Sequence, residues 1–124
     1  MMPEVIFVVD DDTSVRTAVR RLLSSLRYPV RLFGSAEEFL AQTDSGARGC
    51  LVLDVRLPGM TGLQLQQELC DHDWKLPIVF ITAHDDDESR DLALRRGAIA
   101  YLRKPFNRDG LLGGVRRALT QSAE

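Results

Sequence analysis

The sequence predicts a single α/β domain, built as a doubly wound parallel sheet of five strands with helices on both faces. Two observations carry this prediction. Short apolar runs alternate five times with segments whose apolar residues recur at helical spacing. Strands that are separated by helices pair in parallel through right-handed crossovers, which place helices on both sides of the sheet. The length of 124 residues is sufficient for one hydrophobic core.

The first half of the chain contains three predicted strands and two helices. The strands occupy residues 5–9, 30–33 and 50–53. A capping box at residues 35–38 begins the second helix, which runs through Phe39. The first helix has six apolar positions at helical spacing: Val15, Ala18, Val19, Leu22, Leu23 and Leu26.

The second half begins with another capping box, at residues 61–64, which predicts a third helix. The fourth strand is predicted at residues 77–81. Acids at residues 85–88 favour a helix N-terminus, because they complement the helix macrodipole. This fourth helix has three residues for apolar contact, namely Leu92, Ala93 and Leu94. We therefore expect it to be the most weakly anchored helix.

The fifth strand, at residues 99–102, precedes the last helix. Asn107 is a candidate cap for this helix, and Gly113 and Gly114 weaken it locally. The helix buries four apolar residues: Leu111, Leu112, Val115 and Leu119. The pattern of this last helix ends at the end of the sequence. We therefore expect residues 1–124 to be one domain and the N-terminal part of a longer protein.

Composition and charge exclude several classes of protein. The net charge of -2 creates no strong field for nucleic acid or membrane, and 44% hydrophobic residues are ordinary for a globular domain. No apolar stretch approaches the roughly 20 residues that span a bilayer, and the N-terminus lacks the features of a signal peptide. Cys50 and Cys70 form no CxxC pair. We therefore expect a cytoplasmic protein with reduced cysteines and no direct binding to nucleic acid or membrane.

Polar residues follow four of the predicted strands. They are Asp10, Asp11 and Asp12 after the first strand, Asp54 after the third, Thr82 after the fourth and Lys104 after the fifth. Because the carboxyl ends of parallel strands lie at one edge of a sheet, where ligands bind, we expect these side chains to converge. Acids, a hydroxyl and an amine together indicate a phosphoryl and metal site.

The candidate metal ligands are Asp10, Asp11 and Asp54. Close carboxylates repel each other unless a cation neutralises them, and Mg²⁺ suits oxygen ligands while retaining water or phosphate oxygens. The alternative for residues 10–12 is capping of the first helix, which we expect at least one of them to do.

Asp54 is the candidate nucleophile, because a carboxylate can attack a phosphoryl group to form an aspartyl-phosphate. Thr82 could hydrogen-bond a phosphate oxygen, and Lys104 could supply the counter-charge. Each of these two residues, taken alone, would be an ordinary strand or surface residue. The Lys104-Pro105 bond is a candidate cis peptide.

Five segments together form a specific signature. They are VDDD at 9–12, DVRLPGMTG at 54–62, ITA at 81–83, GA at 97–98 and KPF at 104–106. With them the whole chain resembles a response-regulator receiver domain of two-component signalling. The RLP and KPF segments are most similar to the FixJ-like branch of transcriptional regulators. The resemblance implies a flavodoxin-like fold with strand order 2-1-3-4-5.

The resemblance also implies a role for each matching residue. Asp54 would be the phosphoacceptor, and Asp11, Asp54 and the Arg56 backbone carbonyl would bind Mg²⁺, with Asp10 acting through a water. The phosphoryl oxygens would be held by Lys104, Thr82, Ala83 through its amide, and Arg56. The donor would be a histidine of a sensor kinase or a small phosphodonor. The chain would then be no enzyme beyond this self-catalysed transfer and weak autodephosphorylation.

Phosphorylation would act as a switch through the charge that it adds. Thr82 would move toward the phosphoryl group and Tyr101 would rotate inward, changing the face formed by the fourth helix and fifth strand. In related receivers this face forms homodimers or meets an output domain, here expected to be DNA-binding. The candidate contacts are Arg90, Arg95, Arg96 and Arg103, with solvated surface charge as the alternative. His84 and Arg56 would tune the phosphoryl lifetime, although His84 could equally be an exposed loop residue.

Two other functions are possible. A phosphatase of the haloacid dehalogenase type also uses a nucleophilic Asp with Thr and Lys, but it places a general acid two residues later, where this chain has Arg56. A phosphate-independent interaction module is the third possibility, and the set of acids with Thr82 and Lys104 argues against it.

Overall fold

The computed structural model describes residues 3–84 and 86–123. Five strands form one sheet in the order β2-β1-β3-β4-β5, and all four neighbouring pairs are parallel. The strands are β1 (Glu4–Val9), β2 (Val30–Phe33), β3 (Arg48–Asp54), β4 (Ile78–Thr82) and β5 (Ala100–Arg103). The predicted fold class and strand order are confirmed.

Five α-helices connect or follow the strands. They are α1 (Thr13–Leu23), α2 (Ala36–Gln42), α3 (Gly62–Asp71), α4 (Asp87–Arg95) and α5 (Arg108–Ala123). The apolar pattern that predicted the first helix extends to Leu26, because a 3₁₀ turn, Ser24–Leu26, continues α1.

The predicted caps form at the helix starts. Asp12 accepts hydrogen bonds from the backbone amides of Ser14 and Val15, so one of the three acids caps α1. Thr61 and Gln64 form a complete capping box at α3. The Asn107 side-chain oxygen accepts from the amide of Gly110 at the start of α5.

Alternate residues of the strands supply two hydrophobic cores, one on each face of the sheet. The first core contains Phe7, Phe33 and Phe39, and the second is built on the other face with α1 and α5. Trp74, the single tryptophan, packs at the rim of the first core with its ring 5.8 Å from that of Phe39. The helices therefore sandwich the sheet and leave its carboxyl edge open for the polar residues.

Two residues of the predicted apolar patterns are exposed. Ala18 is exposed on α1, because the buried stripe of that helix runs through Val19 and Leu23. Leu94 is 44% exposed, so α4 buries only Ala93 among its described residues. The expectation of a weakly anchored fourth helix agrees with this pattern.

The acidic run at the start of α4 is described only in part, since Asp85 lies outside the described residues. Asp86 caps α4 by accepting from the amide and hydroxyl of Ser89, and these bonds lower the pKa of Asp86. Among residues 3–84 and 86–123, no helix has both the length and the apolar character that crossing a bilayer requires.

Candidate functional site

Three acids meet at the carboxyl edge of the sheet, as predicted. Asp10 and Asp11 follow β1, Asp54 ends β3, and one carboxylate oxygen from each lies within 4.8 Å of the others. Asp10 is fully buried and Asp54 is 5% exposed, whereas Asp11 is open to solvent. The cluster therefore has a buried floor and one solvent-facing carboxylate.

Lys104 reaches this cluster from the end of β5. Its Nζ donates to Asp10 Oδ2 over 2.8 Å and to Asp54 Oδ2 over 3.2 Å. The Lys104-Pro105 peptide bond is cis, as the sequence suggested. The ammonium group joins two acids from different strands, so the predicted convergence of Lys104 with Asp10 and Asp54 is observed.

The charges in this cluster shift one another's pKa values. Burial and the charge of Asp10 raise the pKa of Asp54 to about 6, although Lys104 and the amide of Arg56 oppose the shift. Burial opposes the charge on Lys104, but its bonds and attraction to Asp10 and Asp54 raise its pKa overall. The acids thus hold Lys104 in its charged form against the effect of burial, whereas burial and Asp10 outweigh Lys104 at Asp54.

A divalent cation fits the donor set. Three carboxylates face one ammonium group, so the cluster carries an excess of negative charge that a cation would neutralise. All three candidate ligand atoms are carboxylate oxygens, and so small a number of protein ligands suits Mg²⁺, which retains several waters. The residues present therefore fit the metal that the sequence implied.

One contact of Asp10 escaped sequence analysis. Arg16, on α1, donates from Nη1 to the Asp10 backbone carbonyl over 2.6 Å, and the Asp10 carboxylate accepts from the amide of Asp12 over 2.9 Å. These bonds fix the turn between β1 and α1. Nothing in the sequence distinguishes Arg16 from an arginine that is solvated on the helix surface.

Thr82 lies at the end of β4 and is fully buried. Its hydroxyl donates to the carbonyl of His84 over 2.9 Å and accepts from the amide of His84 over 3.0 Å. The hydroxyl is therefore engaged with the loop that leads to α4, while Ala83 and His84 are exposed in that loop. Any ligand that recruits this hydroxyl must compete with the His84 carbonyl for its proton.

Arg56 links the loops on either side of the cluster. Its amide donates to Asp54 Oδ1 over 3.2 Å, and its guanidinium lies 3.9 Å from Asp86, the cap of α4. Both side chains are largely exposed, so this ion pair contributes little to stability. The pairing with Asp86 was not predicted, because nothing in the sequence relates two residues in different loops.

The predicted switch residue and surface arginines occupy varied environments. The Tyr101 ring lies 6.0 Å from that of Phe80, against the first core. The four arginines have the following contacts: Arg90 with Asp87, Arg95 with the Asp91 carbonyl, Arg96 with the Leu63 carbonyl, and Arg103 exposed on β5. Arg96 therefore ties α4 to α3 and is less available than predicted.

A cavity of about 460 Å³ lies at the amino end of β4, away from the acid cluster. Gln66 of α3 lines it and donates to the Ala93 carbonyl over 3.0 Å. This bond, with the contact from Arg96, anchors the carboxyl end of α4. Sequence analysis missed Gln66, because a glutamine on an amphipathic helix is normally exposed.

The loop after Asp54 passes very close to the start of α3. A methyl group at Gly62 would lie 2.2 Å from the Asp54 carbonyl oxygen, and the Gly62 amide donates to the Val55 carbonyl over 2.9 Å. The absence of a side chain at this position lets the loop close beside the acid cluster.

Gly62→Ala is therefore expected to lower the free energy of unfolding by about 1–3 kcal/mol through the backbone clash. Urea unfolding measures this change. Gly113→Ala is the matched control, since a methyl group there meets nothing within 4 Å and a helix interior favours Ala by about 0.5–1 kcal/mol. Equal stability of Gly62→Ala and the wild type would contradict the close approach.

The fold and the acid cluster agree with one protein family. The sequence model of the response regulator receiver domain matches residues 6–116, so the chain belongs to this family. A receiver domain is a module of two-component signalling and not a classical enzyme. The resemblance recognised from the five sequence segments is thus confirmed.

Known response regulators are similar to this chain in sequence and in structure. The transcriptional regulatory protein TdiR of Thauera aromatica is 44% identical over 119 residues, which cover 96% of this chain and 52% of TdiR. The low-resolution structure of response regulator StyR has a TM-score of 0.91 at 43% identity, over 98% of this chain and 62% of that one. The crystal structure of FixJ-N has a TM-score of 0.85 at 32% identity, over 97% and 96% of the two chains. The chain spans about half the length of the curated relatives that it matches.

Proposed function

We propose that this chain is a phosphorylation-controlled switch of a two-component system, in which Asp54 accepts a phosphoryl group in the presence of Mg²⁺. One observation carries the proposal. The Asp54 carboxylate lies at the open edge of the sheet, 3.2 Å from the Lys104 ammonium and beside two further acids. A nucleophile, a counter-charge and a set of metal ligands are thus within reach of one phosphoryl group.

The proposed transfer breaks one bond to phosphorus and forms another. A carboxylate oxygen of Asp54 attacks the phosphorus, and the bond between phosphorus and the histidine nitrogen of a sensor kinase breaks. The electron pair of that bond returns to the histidine. A small phosphodonor would serve in the same way, with its own leaving group.

The remaining roles follow from the contacts in the site. Asp11, Asp54 and the Arg56 backbone carbonyl would hold Mg²⁺, with Asp10 acting through a water. Bound Mg²⁺ supplies positive charge against the oxygens of the phosphoryl group. Three further groups would hold the phosphoryl oxygens, namely the Lys104 ammonium, the Thr82 hydroxyl and the Ala83 amide. Arg56 and His84, at the mouth of the site, would set the lifetime of the phosphorylated state.

The switch would begin at Thr82. To donate to a phosphoryl oxygen, its hydroxyl must give up the bond to the His84 carbonyl, which loosens the loop before α4. Tyr101 would then repack inward, and the surface of α4 and β5 would change. Phosphorylation can shift this equilibrium only by stabilising one conformation more than the other. The small buried face of α4 supports this route, since Ala93 is the buried residue among those described in this helix.

The proposal extends to the protein of which this domain would form the N-terminal part. The changed surface would promote homodimerisation or release an output domain that binds DNA. The transcriptional regulatory protein TdiR is about twice the length of this chain, which is consistent with an added domain. We also place the protein in the cytoplasm, where the free Cys50 and Cys70 would stay reduced.

Intact mass spectrometry tests the proposal directly. The chain is incubated with Mg²⁺ and acetyl phosphate, beside an Asp54→Asn variant and a sample with EDTA. We expect one phosphoryl addition to the wild type and none to either control. Size-exclusion chromatography of the same samples then tests dimerisation.

An addition to the Asp54→Asn variant would assign the acceptor to another residue. No addition with acetyl phosphate or with a phosphorylated histidine donor domain would overturn the proposal and favour a phosphate-independent interaction module. Catalytic turnover of a phosphate monoester would instead favour a phosphatase.

A further inference from the structure

A side chain from α2 holds the loop that connects β3 to α3. Glu37, in the first turn of α2, accepts a hydrogen bond from the Met60 amide over 2.9 Å. This bond lowers the pKa of Glu37, so its carboxylate is ionised at neutral pH. The two residues are 23 positions apart, so the contact joins separate elements of the fold.

The carboxylate also packs against the loop backbone. A methyl group at Gly59 would lie 2.4 Å from Glu37 Oε2, and Gly59 has a φ of +73°, which favours glycine. The conformation of Gly59 and the position of Glu37 are therefore matched to each other. Met60, the next residue, packs its side chain against the first core.

The same loop carries Arg56, whose backbone carbonyl is a proposed Mg²⁺ ligand. The start of the loop is fixed by the Val55 amide, which donates to the Ile81 carbonyl over 3.1 Å. Its end is fixed by the amide of Gly62, which donates to the Val55 carbonyl. Between these points the loop must keep one conformation if Arg56 and Asp54 are to bind the same ion. Glu37, which belongs to α2, holds this part of the loop through its contacts with Gly59 and Met60.

We propose that Glu37 is a positioning residue for the metal site, which stabilises the loop at residues 55–61 in the conformation that binds Mg²⁺. The inference rests on the proposed function, because it takes Asp54 and Arg56 as metal ligands. Glu37 acts through the loop and is not a catalytic residue. Its role predicts a change in metal affinity without a change in the chemistry of the loaded site.

Glu37→Ala tests this role in three measurements on the chain. The exchange of the Met60 amide, followed by NMR, should accelerate by about three- to tenfold, the value of a typical net hydrogen bond, since the bond is solvent-exposed. The Mg²⁺ dissociation constant, measured by calorimetry, should rise by a similar factor. The Mg²⁺ concentration for half-maximal phosphorylation by acetyl phosphate should rise likewise, while the rate at saturating Mg²⁺ stays unchanged.

Two variants separate positioning from charge. Glu38→Ala removes the same charge from the adjacent exposed position in the first turn of α2, and it should leave all three values unchanged. Glu37→Gln keeps an acceptor oxygen and removes the charge, so it should restore most of the Mg²⁺ affinity. Circular dichroism of each variant checks that α2 remains folded.

The proposal is overturned if Glu37→Ala and Glu38→Ala weaken Mg²⁺ binding equally, since the effect would then be one of long-range charge. It is also overturned if Met60 exchange accelerates while Mg²⁺ affinity is unchanged. If the wild type binds Mg²⁺ but accepts no phosphoryl group, the proposed function fails, and the exchange and calorimetry results still decide the role of Glu37.

Discussion

Without metal, Asp54→Asn is expected to raise the free energy of unfolding at pH 7 by up to about 3 kcal/mol. The pKa of Asp54 is about 6 in the folded chain, against an ordinary value of 3.8. This difference of about two units corresponds to about 3 kcal/mol of unfavourable charge in the folded state. An amide at this position removes the repulsion from Asp10 and leaves Lys104 paired with Asp10 alone. Chemical unfolding in the presence of EDTA measures the change.

The same shift predicts a dependence on pH. Between about pH 4 and pH 6 the folded state binds the Asp54 proton more tightly than the unfolded state does. The free energy of unfolding should therefore fall as pH rises through this window, and Asp54→Asn should flatten that fall. Asp91→Asn, at an exposed position on α4, is the control for a general loss of charge. The prediction fails if both variants change stability equally, or if wild-type stability rises across the window.

Lys104→Met is expected to have the opposite effect on stability and to slow phosphorylation strongly. Lys104 is the cation that contacts both Asp10 and Asp54, and these two acids are almost fully buried. Removing one partner from such a buried pair costs roughly 3 kcal/mol, because the remaining charges are left uncompensated. The rate of phosphoryl addition should fall by about 10²-fold or more, since the charge that faces the phosphoryl oxygens is lost. Urea unfolding and timed intact-mass measurements give the two values.

Two further variants test this reasoning. Lys75→Met removes the other lysine of the chain, which is exposed, and it should change neither property. Combining Lys104→Met with Asp54→Asn should recover much of the lost stability, because the double variant has one fewer uncompensated carboxylate. The gain in stability from Asp54→Asn should therefore be larger in the Lys104→Met background than in the wild type, and an equal gain in both backgrounds would show that the ammonium and the carboxylate do not interact.

The sequence was sufficient to predict the features that depend on local pattern. The alternation of strands and helices predicted a parallel sheet, and the family resemblance implied its strand order. The polar residues at the strand ends predicted that Asp10, Asp54 and Lys104 would lie close together. These predictions succeeded because parallel strands bring their carboxyl ends to one edge whatever the details of packing. The cap at Asn107 and the capping box at Thr61 succeeded because they involve residues three positions apart.

The features that were missed depend on contacts between distant segments. Ala18 and Leu94 fit a helical period, but which stripe of a helix is buried depends on how the helix is rotated against the sheet. Glu37 lies within the 35–38 segment that predicted a helix start, but its bond to Met60 depends on how α2 packs beside the loop before α3. Gln66 contacts α4 because the packing of α4 on α3 brings the Ala93 carbonyl within hydrogen-bond distance of its side chain. Such contacts between distant segments can be identified only from the three-dimensional structure.

The position of Trp74 gives the domain an intrinsic optical reporter. The indole lies against Phe39 and lines the cavity at the amino end of the sheet, whereas the acid cluster occupies the carboxyl end. Its emission therefore reports on solvent entry at this rim of the first core, at the other end of the sheet from the acid cluster. Fluorescence of this one residue can follow global unfolding in the Asp54 and Lys104 variants, whose sites lie at the other end of the sheet.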